Sequence, residues 1–173
     1  MPSDLPDTEA VEVTPAHSLL RLVPAIKPKV LIVEDYDDSR EMLRLLLEMR
    51  NCSVSEACNG LEAVEMAVRV QPDVILMDGS LPLIDGLEAT RRIRKNERLN
   101  EVLILAMNGW GTPGYHEAAL AAGCNDSLSK PIDFDRLESF LAPFFHKSSR
   151  ATVLTKSKEN GAWAKARSPH PIS

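Results

Sequence analysis

Short uninterrupted runs of apolar residues alternate along the middle of the chain with longer stretches of helical periodicity. Three of these runs cover Val30–Val33, Val74–Met77 and Val102–Met107. Such runs are typical of parallel strands, because helices cover both faces of a parallel sheet. Shorter strands are predicted at Ser53–Ala57 and near Asn125–Leu128. Five strands that alternate with five helices predict a parallel sheet with right-handed crossovers, and therefore an α/β fold built as a three-layer αβα sandwich.

Between the predicted strands, residues that are apolar except for one threonine recur at helical spacing. In chain order these positions are Met42, Leu43, Leu46, Leu47 and Met49, then Leu61, Val64 and Val68, then Leu87, Thr90 and Ile93, and finally Leu137, Phe140, Leu141 and Phe144. The first group is expected to form the buried stripe of its helix. Asp37 or Asp38 can cap that helix and Asp133 can cap the last one. Gly123 is a suitable C-terminal glycine for the fourth helix.

Both ends of the 173-residue chain fall outside this pattern. Residues 1–27 are rich in proline and poor in periodicity, which predicts a flexible N-terminal tail, although the apolar patch Leu19–Val23 leaves a brief helix or docking segment open. Residues 148–173 are basic and lack an apolar period, which favours a flexible C-terminal tail. The alternative is a basic arm that touches an acidic partner or nucleic acid, but the segment is too short to fold with its own core, so direct DNA binding is not expected. The folded domain is therefore predicted to span residues 28–147.

Composition narrows the class of protein further. A formal net charge of −5 gives no indication of a polyanionic partner for the whole chain. Cys52, Cys58 and Cys124 show no metal-binding spacing and are expected to be small buried or half-buried residues in a reducing compartment. No apolar run approaches the roughly 18 residues of a membrane span, and the N-terminus lacks the features of a signal peptide. The sequence thus predicts a cytoplasmic protein that does not enter a membrane.

Polar side chains stand at the ends of the predicted strands. Glu34 and Asp35 follow the first strand, Asp78 ends the central one, and Asn108 and Lys130 end the last two. Because the carboxyl ends of parallel strands share one edge of a sheet, these groups are expected to converge. Crowded carboxylates favour a hard divalent cation such as Mg²⁺, and a nearby lysine suits a phosphate-like oxyanion. A carboxylate nucleophile, Mg²⁺ and a lysine are the groups that an acyl-phosphate site needs.

The motifs at these strand ends resemble those of bacterial response-regulator receiver domains, the CheY-like family. The segments that carry the resemblance are Val33-Glu34-Asp35, Leu76-Met77-Asp78, Leu81-Pro82, Asp85-Gly86, Ala121-Ala122-Gly123 and Lys130-Pro131. The resemblance covers about residues 28–147. It implies a five-stranded parallel sheet in the order 2-1-3-4-5. It also implies a cis peptide bond between Lys130 and Pro131.

The resemblance further implies a role for each site residue. Asp78 accepts a phosphoryl group from a phosphohistidine of a sensor histidine kinase or phosphotransfer protein, and Lys130 pairs with the phosphoryl oxygens. Asp35 and Asp78 ligate Mg²⁺ directly, Glu34 acts largely through water, and the backbone carbonyl of Ser80 supplies another oxygen. The protein is then no enzyme for a separate substrate. It is a domain that catalyses its own aspartyl phosphorylation and dephosphorylation and changes its surface for a downstream protein target.

Two positions depart from the family pattern. Asn108 stands at the switch position, where the family has Ser or Thr, and Ser127 stands where many members carry an aromatic side chain that moves. An amide can donate a hydrogen bond as a hydroxyl does, but it is longer and aimed differently. The hypothesis is that the phosphorylation chemistry persists, while coupling to the surface is weakened or passes through the glycine-containing loop of residues 109–114.

Three functions remain open on the sequence alone. The first is a phosphorylatable receiver without an output domain, acting as a relay intermediate or a diffusible regulator. The second is a receiver-like docking module that works without phosphate, which Asn108 and Ser127 favour and the intact acid cluster opposes. The third is a metal-dependent phosphatase with Asp78 as its nucleophile. It is disfavoured because such enzymes need a second acid two residues further on, where this chain has Ser80.

Overall fold

The computed structural model describes residues 27–109 and 113–145. Its centre is a sheet of five parallel strands, which are β1 Lys29–Val33, β2 Ser53–Ala57, β3 Val74–Asp78, β4 Leu103–Asn108 and β5 Asp126–Ser129. The strands lie in the order β2-β1-β3-β4-β5. The predicted sheet and its order are confirmed.

Five helices cover the two faces of the sheet. They are α1 Asp37–Met49, α2 Gly60–Val70, α3 Gly86–Arg94, α4 Tyr115–Ala122 and α5, which is helical over residues 134–145. A short 3₁₀ turn, Glu97–Leu99, follows α3. Buried residues of α2, α3 and α4 form one apolar cluster with the sheet, and those of α1 and α5 form the other. The fold is therefore the predicted three-layer αβα sandwich.

The central strands are apolar because helices cover both of their faces. In β1, Leu31 and Val33 belong to the cluster with α2, α3 and α4, whereas Val30 and Ile32 belong to the cluster with α1 and α5. All five residues of β3 are buried, including its last residue, Asp78. Backbone pairing with β1 and β4 fixes this strand from both sides. A carboxylate is thus held at the end of a rigid, buried element.

The start of α1 differs from the prediction. Tyr36 is the N-cap, and its side chain makes no capping hydrogen bond. Asp37 and Asp38 lie inside the first turn, where a carboxylate interacts favourably with the helix dipole, and Asp37 forms an ion pair with Arg40. The prediction that either aspartate caps α1 is therefore wrong, because the helix begins earlier than that prediction requires.

The buried face of α1 is narrower than predicted. Leu43 and Leu47 are buried, but Met42 and Met49 are 48% and 77% exposed. Leu43 and Leu47 are four residues apart and lie one above the other on the sheet, whereas the two methionines lie together to one side of this line. The predicted five-residue stripe therefore splits into a buried line and an exposed apolar edge.

Small residues carry the buried face of α2. Gly60, Ala63 and Ala67 are buried, whereas Leu61 and Val68 are exposed. Short side chains let the helix axis approach the sheet and α3 closely, which leaves no room for the larger residues on that side. The helical spacing of Leu61 and Val68 was thus a feature of the outer face.

The predicted ends of α4 and α5 are confirmed. Asp133 caps α5 by accepting hydrogen bonds from the backbone N–H groups of Asp135 and Arg136 at 3.0 and 3.2 Å. Gly123 ends α4 with a φ of 106°, in the left-handed region that glycine tolerates. The three cysteines are free thiols, of which Cys52 and Cys124 are buried and Cys58 is exposed. The exposure of Cys58 corrects the expectation that all three would be at least half-buried.

The two predicted tails lie outside the described residues, apart from Lys27. The same holds for residues 110–112 of the loop between β4 and α4. Within residues 27–109 and 113–145, every helix is too short or too polar to cross a bilayer.

Gly86 lets α3 begin directly beside the end of β3. A Cβ atom on residue 86 would lie 1.9 Å from the backbone oxygen of Asp78. We expect Gly86→Ala to lower the free energy of unfolding by about 1–3 kcal/mol, because the backbone of β3 must shift to relieve the clash. Chemical denaturation measures this change. Gly109→Ala is the control, since a Cβ there meets no atom of the described residues within 4 Å. Equal stability of the two variants would contradict the prediction.

Candidate functional site at the carboxyl ends of the strands

Three carboxylates meet where β1 and β3 end. Asp78 is the last residue of β3, and Glu34 and Asp35 follow β1 directly. One oxygen from each of the three side chains can be chosen so that all lie within 4.8 Å of one another. Glu34 and Asp78 are buried, with 2% and 5% of their surface exposed, whereas Asp35 is exposed. The predicted convergence of these acids is therefore present in the structure.

Lys130 approaches the two buried acids from the end of β5. Its Nζ donates a hydrogen bond of 2.6 Å to Oε2 of Glu34 and lies 3.1 Å from Oδ2 of Asp78. Its backbone N–H donates to the carbonyl oxygen of Asn108 at 2.7 Å, which links the ends of β4 and β5. The Lys130–Pro131 peptide bond is cis, as the family resemblance implied.

Burial and charge act against each other in this cluster. Burial raises the pKa of the Glu34 carboxyl, the hydrogen bond from Lys130 opposes that increase, and the nearby charge of Asp78 adds to it. Burial by itself lowers the pKa of the Lys130 ammonium, but its hydrogen bonds to Glu34 and Asp78 outweigh this effect, and the pKa is raised. The lysine therefore stays charged and compensates only part of the negative charge around it.

The donor set fits a hard divalent cation. Three carboxylates carry more negative charge than one ammonium group neutralises, and Asp35 is open to solvent on the outer side of the cluster. Mg²⁺ prefers a few carboxylate oxygens and keeps several water ligands, which an exposed rim can supply. Glu34, Asp35 and Asp78 are thus the side chains that could hold the ion. The backbone carbonyl of Ser80 stays a predicted ligand.

A tight loop after β3 presents Asp78. The N–H of Gly79 donates to the carbonyl of Met107 at 2.9 Å, and the N–H of Gly86 donates to the carbonyl of Gly79 at 3.2 Å. Asp85 then caps α3 by accepting a hydrogen bond of 2.7 Å from the N–H of Glu88. These contacts tie both ends of the loop to regular structure, so the position of the carboxylate is well defined.

Asn108 lies where the sequence placed the switch position. It is the last residue of β4 and is half-buried. In the parallel register it is paired with Ser129, the residue before Lys130. The structure thus brings Glu34, Asp35, Asp78 and Lys130 into one cluster and sets Asn108 beside it. The chemical role of each residue stays a prediction at this point.

Two residues near the site were not predicted from the sequence. Arg40 donates a hydrogen bond of 2.9 Å to the backbone carbonyl of Glu34 and so supports the acidic turn. Its three-residue spacing from Asp37 was a usable signal. Tyr115, at the start of α4, packs against Gly79. No local pattern indicated this second contact, because it joins the loop after β3 to the start of α4, which is far away in the sequence.

Comparison with known proteins assigns a family to this arrangement. Residues 30–142 match the family model of the response regulator receiver domain. The polar-differentiation response regulator DivK of Brucella anthropi is 35% identical over 107 residues, which cover 62% of this chain and 87% of DivK. The DNA-binding dual master transcriptional regulator RpaA of Synechocystis is 27% identical over 132 residues, which cover 76% of this chain. The match spans 55% of RpaA, so the chain corresponds to about half of that protein.

Solved structures agree with this assignment. The receiver domain of the sensor histidine kinase PA1611 from Pseudomonas aeruginosa, with magnesium coordinated in its active-site cleft, is 34% identical with a TM-score of 0.64 and covers 70% of this chain and 99% of that one. The receiver domain of Ssk1 from Saccharomyces cerevisiae, crystallised with the histidine phosphotransfer protein Ypd1, is 34% identical with a TM-score of 0.60. That match covers 65% of this chain and 84% of the other.

The position of Lys130 between two buried acids predicts how the metal-free protein responds to Mg²⁺. Lys130→Met leaves Glu34 and Asp78 without their shared cation, so we expect the free energy of unfolding in a chelator to fall by about 1–3 kcal/mol. Added Mg²⁺ should stabilise this variant more than the wild type, since the ion then supplies the missing positive charge. Thermal unfolding with and without MgCl₂ measures both effects.

Lys95→Met is the matched control, because Lys95 is an exposed residue at the end of α3. It should leave stability and the response to Mg²⁺ as in the wild type. If Lys130→Met responded to Mg²⁺ no more strongly than this control, the lysine would not share the charge compensation of the acids.

Proposed function

This chain belongs to the family of response regulator receiver domains, and on that premise we propose that Asp78 is its site of phosphorylation. The phosphoryl group comes from a phosphohistidine of a sensor histidine kinase or of a phosphotransfer protein. The observation that carries this proposal is the position of Asp78, a buried carboxylate that ends β3 within one cluster with Glu34, Asp35 and Lys130. A phosphoryl acceptor in a two-component pathway needs this combination of a nucleophile and positive charge.

The transfer itself follows from the geometry of the carboxylate. An oxygen of Asp78 attacks the phosphorus atom, an oxygen–phosphorus bond forms, and the nitrogen–phosphorus bond of the phosphohistidine breaks. The electron pair of that bond returns to the imidazole. Because Asp78 is fixed by β3 and by the loop contacts of Gly79, little reorganisation is needed to place its oxygen in line with the leaving nitrogen.

Lys130 and the acids have complementary tasks in this proposal. The ammonium group already lies 3.1 Å from an oxygen of Asp78, so it can pair with an oxygen of the transferred phosphoryl group with little movement. Glu34, Asp35 and Asp78 would hold Mg²⁺, and the charge of the ion would offset the negative charge that builds up during transfer. The magnesium in the receiver domain of PA1611 supports this assignment. The domain also catalyses its own dephosphorylation, in which water attacks phosphorus, inorganic phosphate leaves and the Asp78 carboxylate is restored.

The outer face of α1 is the surface that we assign to the phosphodonor protein. Met42, Leu45 and Met49 are exposed and lie on one side of this helix, which starts two residues after Asp35. A donor histidine must reach Asp78, so the donor protein has to contact the elements that surround the acidic cluster. Exposed apolar side chains beside a polar site are typical of such contacts. The complex of Ypd1 with the receiver domain of Ssk1 supports a phosphotransfer protein as one kind of partner.

The three free thiols are consistent with a reducing compartment, so we place the protein in the cytoplasm. Its output is a change of surface that a downstream protein recognises, with no direct contact to DNA. The DNA-binding activity in the name of RpaA belongs to that protein, of which this chain matches about half.

Labelling of Asp78 tests the proposed function directly. With Mg²⁺ and a small acyl phosphate such as acetyl phosphate, we expect one phosphoryl group to be added to the wild type, as measured by intact mass and peptide mapping. Asp78→Asn should abolish the label, because an amide is a poor nucleophile, and a chelator should suppress it. Glu88→Gln replaces a half-buried acid outside the cluster, serves as the control and should label normally. A wild type that stays unlabelled by this compound and by histidine-phosphorylated donors would favour the docking module that works without phosphate.

The α1 surface makes a separate prediction about donors. Leu45→Glu should slow phosphotransfer from a protein donor by about tenfold or more, which corresponds to about 1.4 kcal/mol of lost interaction. Labelling by acetyl phosphate should stay unchanged, because a small donor needs no docking surface. Leu120→Glu replaces an exposed leucine of α4 and serves as the matched control. An equal loss of rate with both donors would show that the substitution acts on the site and not on docking.

A further inference from the structure

The phenol of Tyr115 has no hydrogen-bond partner among residues 27–109 and 113–145. Tyr115 is the first residue of α4, and its ring packs against the apolar cluster between the sheet and helices α2 to α4. Among the described residues, its hydroxyl is the one buried side-chain polar atom that lacks a partner. Burial raises the pKa of Tyr115, and the nearby Cys124, Asp78 and Asp85 raise it further, so the group is a neutral phenol. A buried donor without an acceptor destabilises the conformation that contains it.

Gly79 provides the space that this phenol occupies. A Cβ atom on residue 79 would lie 2.3 Å from the hydroxyl oxygen of Tyr115 and 2.8 Å from its Cζ atom. Any residue other than glycine would therefore displace the ring. Gly79 directly follows Asp78, so the ring of Tyr115 rests on the backbone of the residue next to the proposed phosphorylation site. We call this contact the Gly79 seat.

The next residue of α4, His116, connects the same turn to β5. Nδ1 of His116 lies 2.9 Å from Oγ of Ser127 on β5 and 3.7 Å from Oδ1 of Asp126. Asp126 in turn accepts a hydrogen bond of 3.1 Å from Arg136 of α5. The first turn of α4 thus touches the loop after Asp78 through one residue and the surface of β5 and α5 through the next.

We infer that Tyr115 is the switch residue of this chain, resting on the proposed phosphorylation of Asp78. Phosphorylation adds volume and about one further negative charge next to a seat that has no spare room. The ring then leaves the Gly79 seat, its hydroxyl gains water as a partner, and the first turn of α4 moves with it. The contact between His116 and Ser127 changes as a result. Tight packing on one side and an unpaired hydroxyl on the other make two discrete positions of the ring close in free energy.

Tyr115→Phe tests the role of the unpaired hydroxyl. Phenylalanine fills the seat without burying a donor, so it should shift the equilibrium toward the seated ring by about fivefold or more. NMR signals of His116 and Ser127 report the position of the turn, with Mg²⁺ and beryllium fluoride added as a mimic of the acyl phosphate. We expect a clearly smaller change of these signals in Tyr115→Phe than in the wild type. Tyr36→Phe is the matched control, because Tyr36 is 61% exposed, and it should respond as the wild type does.

Gly79→Ala tests the seat from the other side. The added methyl group should expel the ring, so the His116 and Ser127 signals should move toward their beryllofluoride-bound positions without any ligand. In a Tyr115→Ala background, adding Gly79→Ala should have no further effect on these signals. If Gly79→Ala does not fold, the comparison of Tyr115→Phe with the wild type decides.

The outcomes separate this inference from the proposed function. A Tyr115→Phe variant that responds fully, or a Gly79→Ala effect that persists without the ring, overturns the role of Tyr115. In either case mass spectrometry of acetyl-phosphate-treated wild type still shows whether Asp78 is phosphorylated. A wild type that neither accepts phosphate at Asp78 nor binds beryllium fluoride overturns the proposed function and this inference together.

Discussion

The structure depends on the repulsion between carboxylates that the fold brings to one edge of the sheet. Parallel strands end on the same side, so Glu34 and Asp78 are neighbours in space although 44 residues separate them in the chain. In the described structure, only the ammonium group of Lys130 compensates the negative charge of the two buried acids. This lysine follows β5, near the C-terminal end of the domain. This pairing keeps the acids aligned, and it leaves enough negative charge to attract a divalent cation. The same electrostatic imbalance thus ties the fold to its proposed chemistry.

Much of the fold could be predicted from the sequence because its strongest signals are local. Uninterrupted apolar runs identified β1, β3 and β4, and the polar residue at each strand end identified the edge where the site lies. Side-chain packing was harder to predict. Methionine is usually a buried residue, but Met42 and Met49 lie on the exposed edge of α1. In α2, small residues form the inner face, and Leu61 and Val68 lie outside it. Hydrophobicity alone does not tell which side of a helix the neighbouring elements leave room for.

For the site, as for the fold, the sequence identified some residues, and others became apparent only from contacts in the structure. Glu34, Asp35, Asp78 and Lys130 were identified from strand ends and family motifs, and the structure brings them together. The departures at Asn108 and Ser127 raised the question of how a signal leaves the site, and the sequence offered only a glycine-containing loop as an answer. The packing of Tyr115 on Gly79 and the contact between His116 and Ser127 are non-local, so no spacing rule could reveal them.

The contact between Gly79 and Tyr115 links two positions that would otherwise be free to vary independently. A side chain after the phosphoacceptor excludes an aromatic ring from this place, and a missing ring leaves a void that a larger residue at position 79 could fill. Homologues should therefore change the two positions together. A chimaera that exchanges the loop after β3 between receivers without exchanging the first turn of α4 would combine incompatible halves, so recombination and design in this family should treat the two segments as one unit.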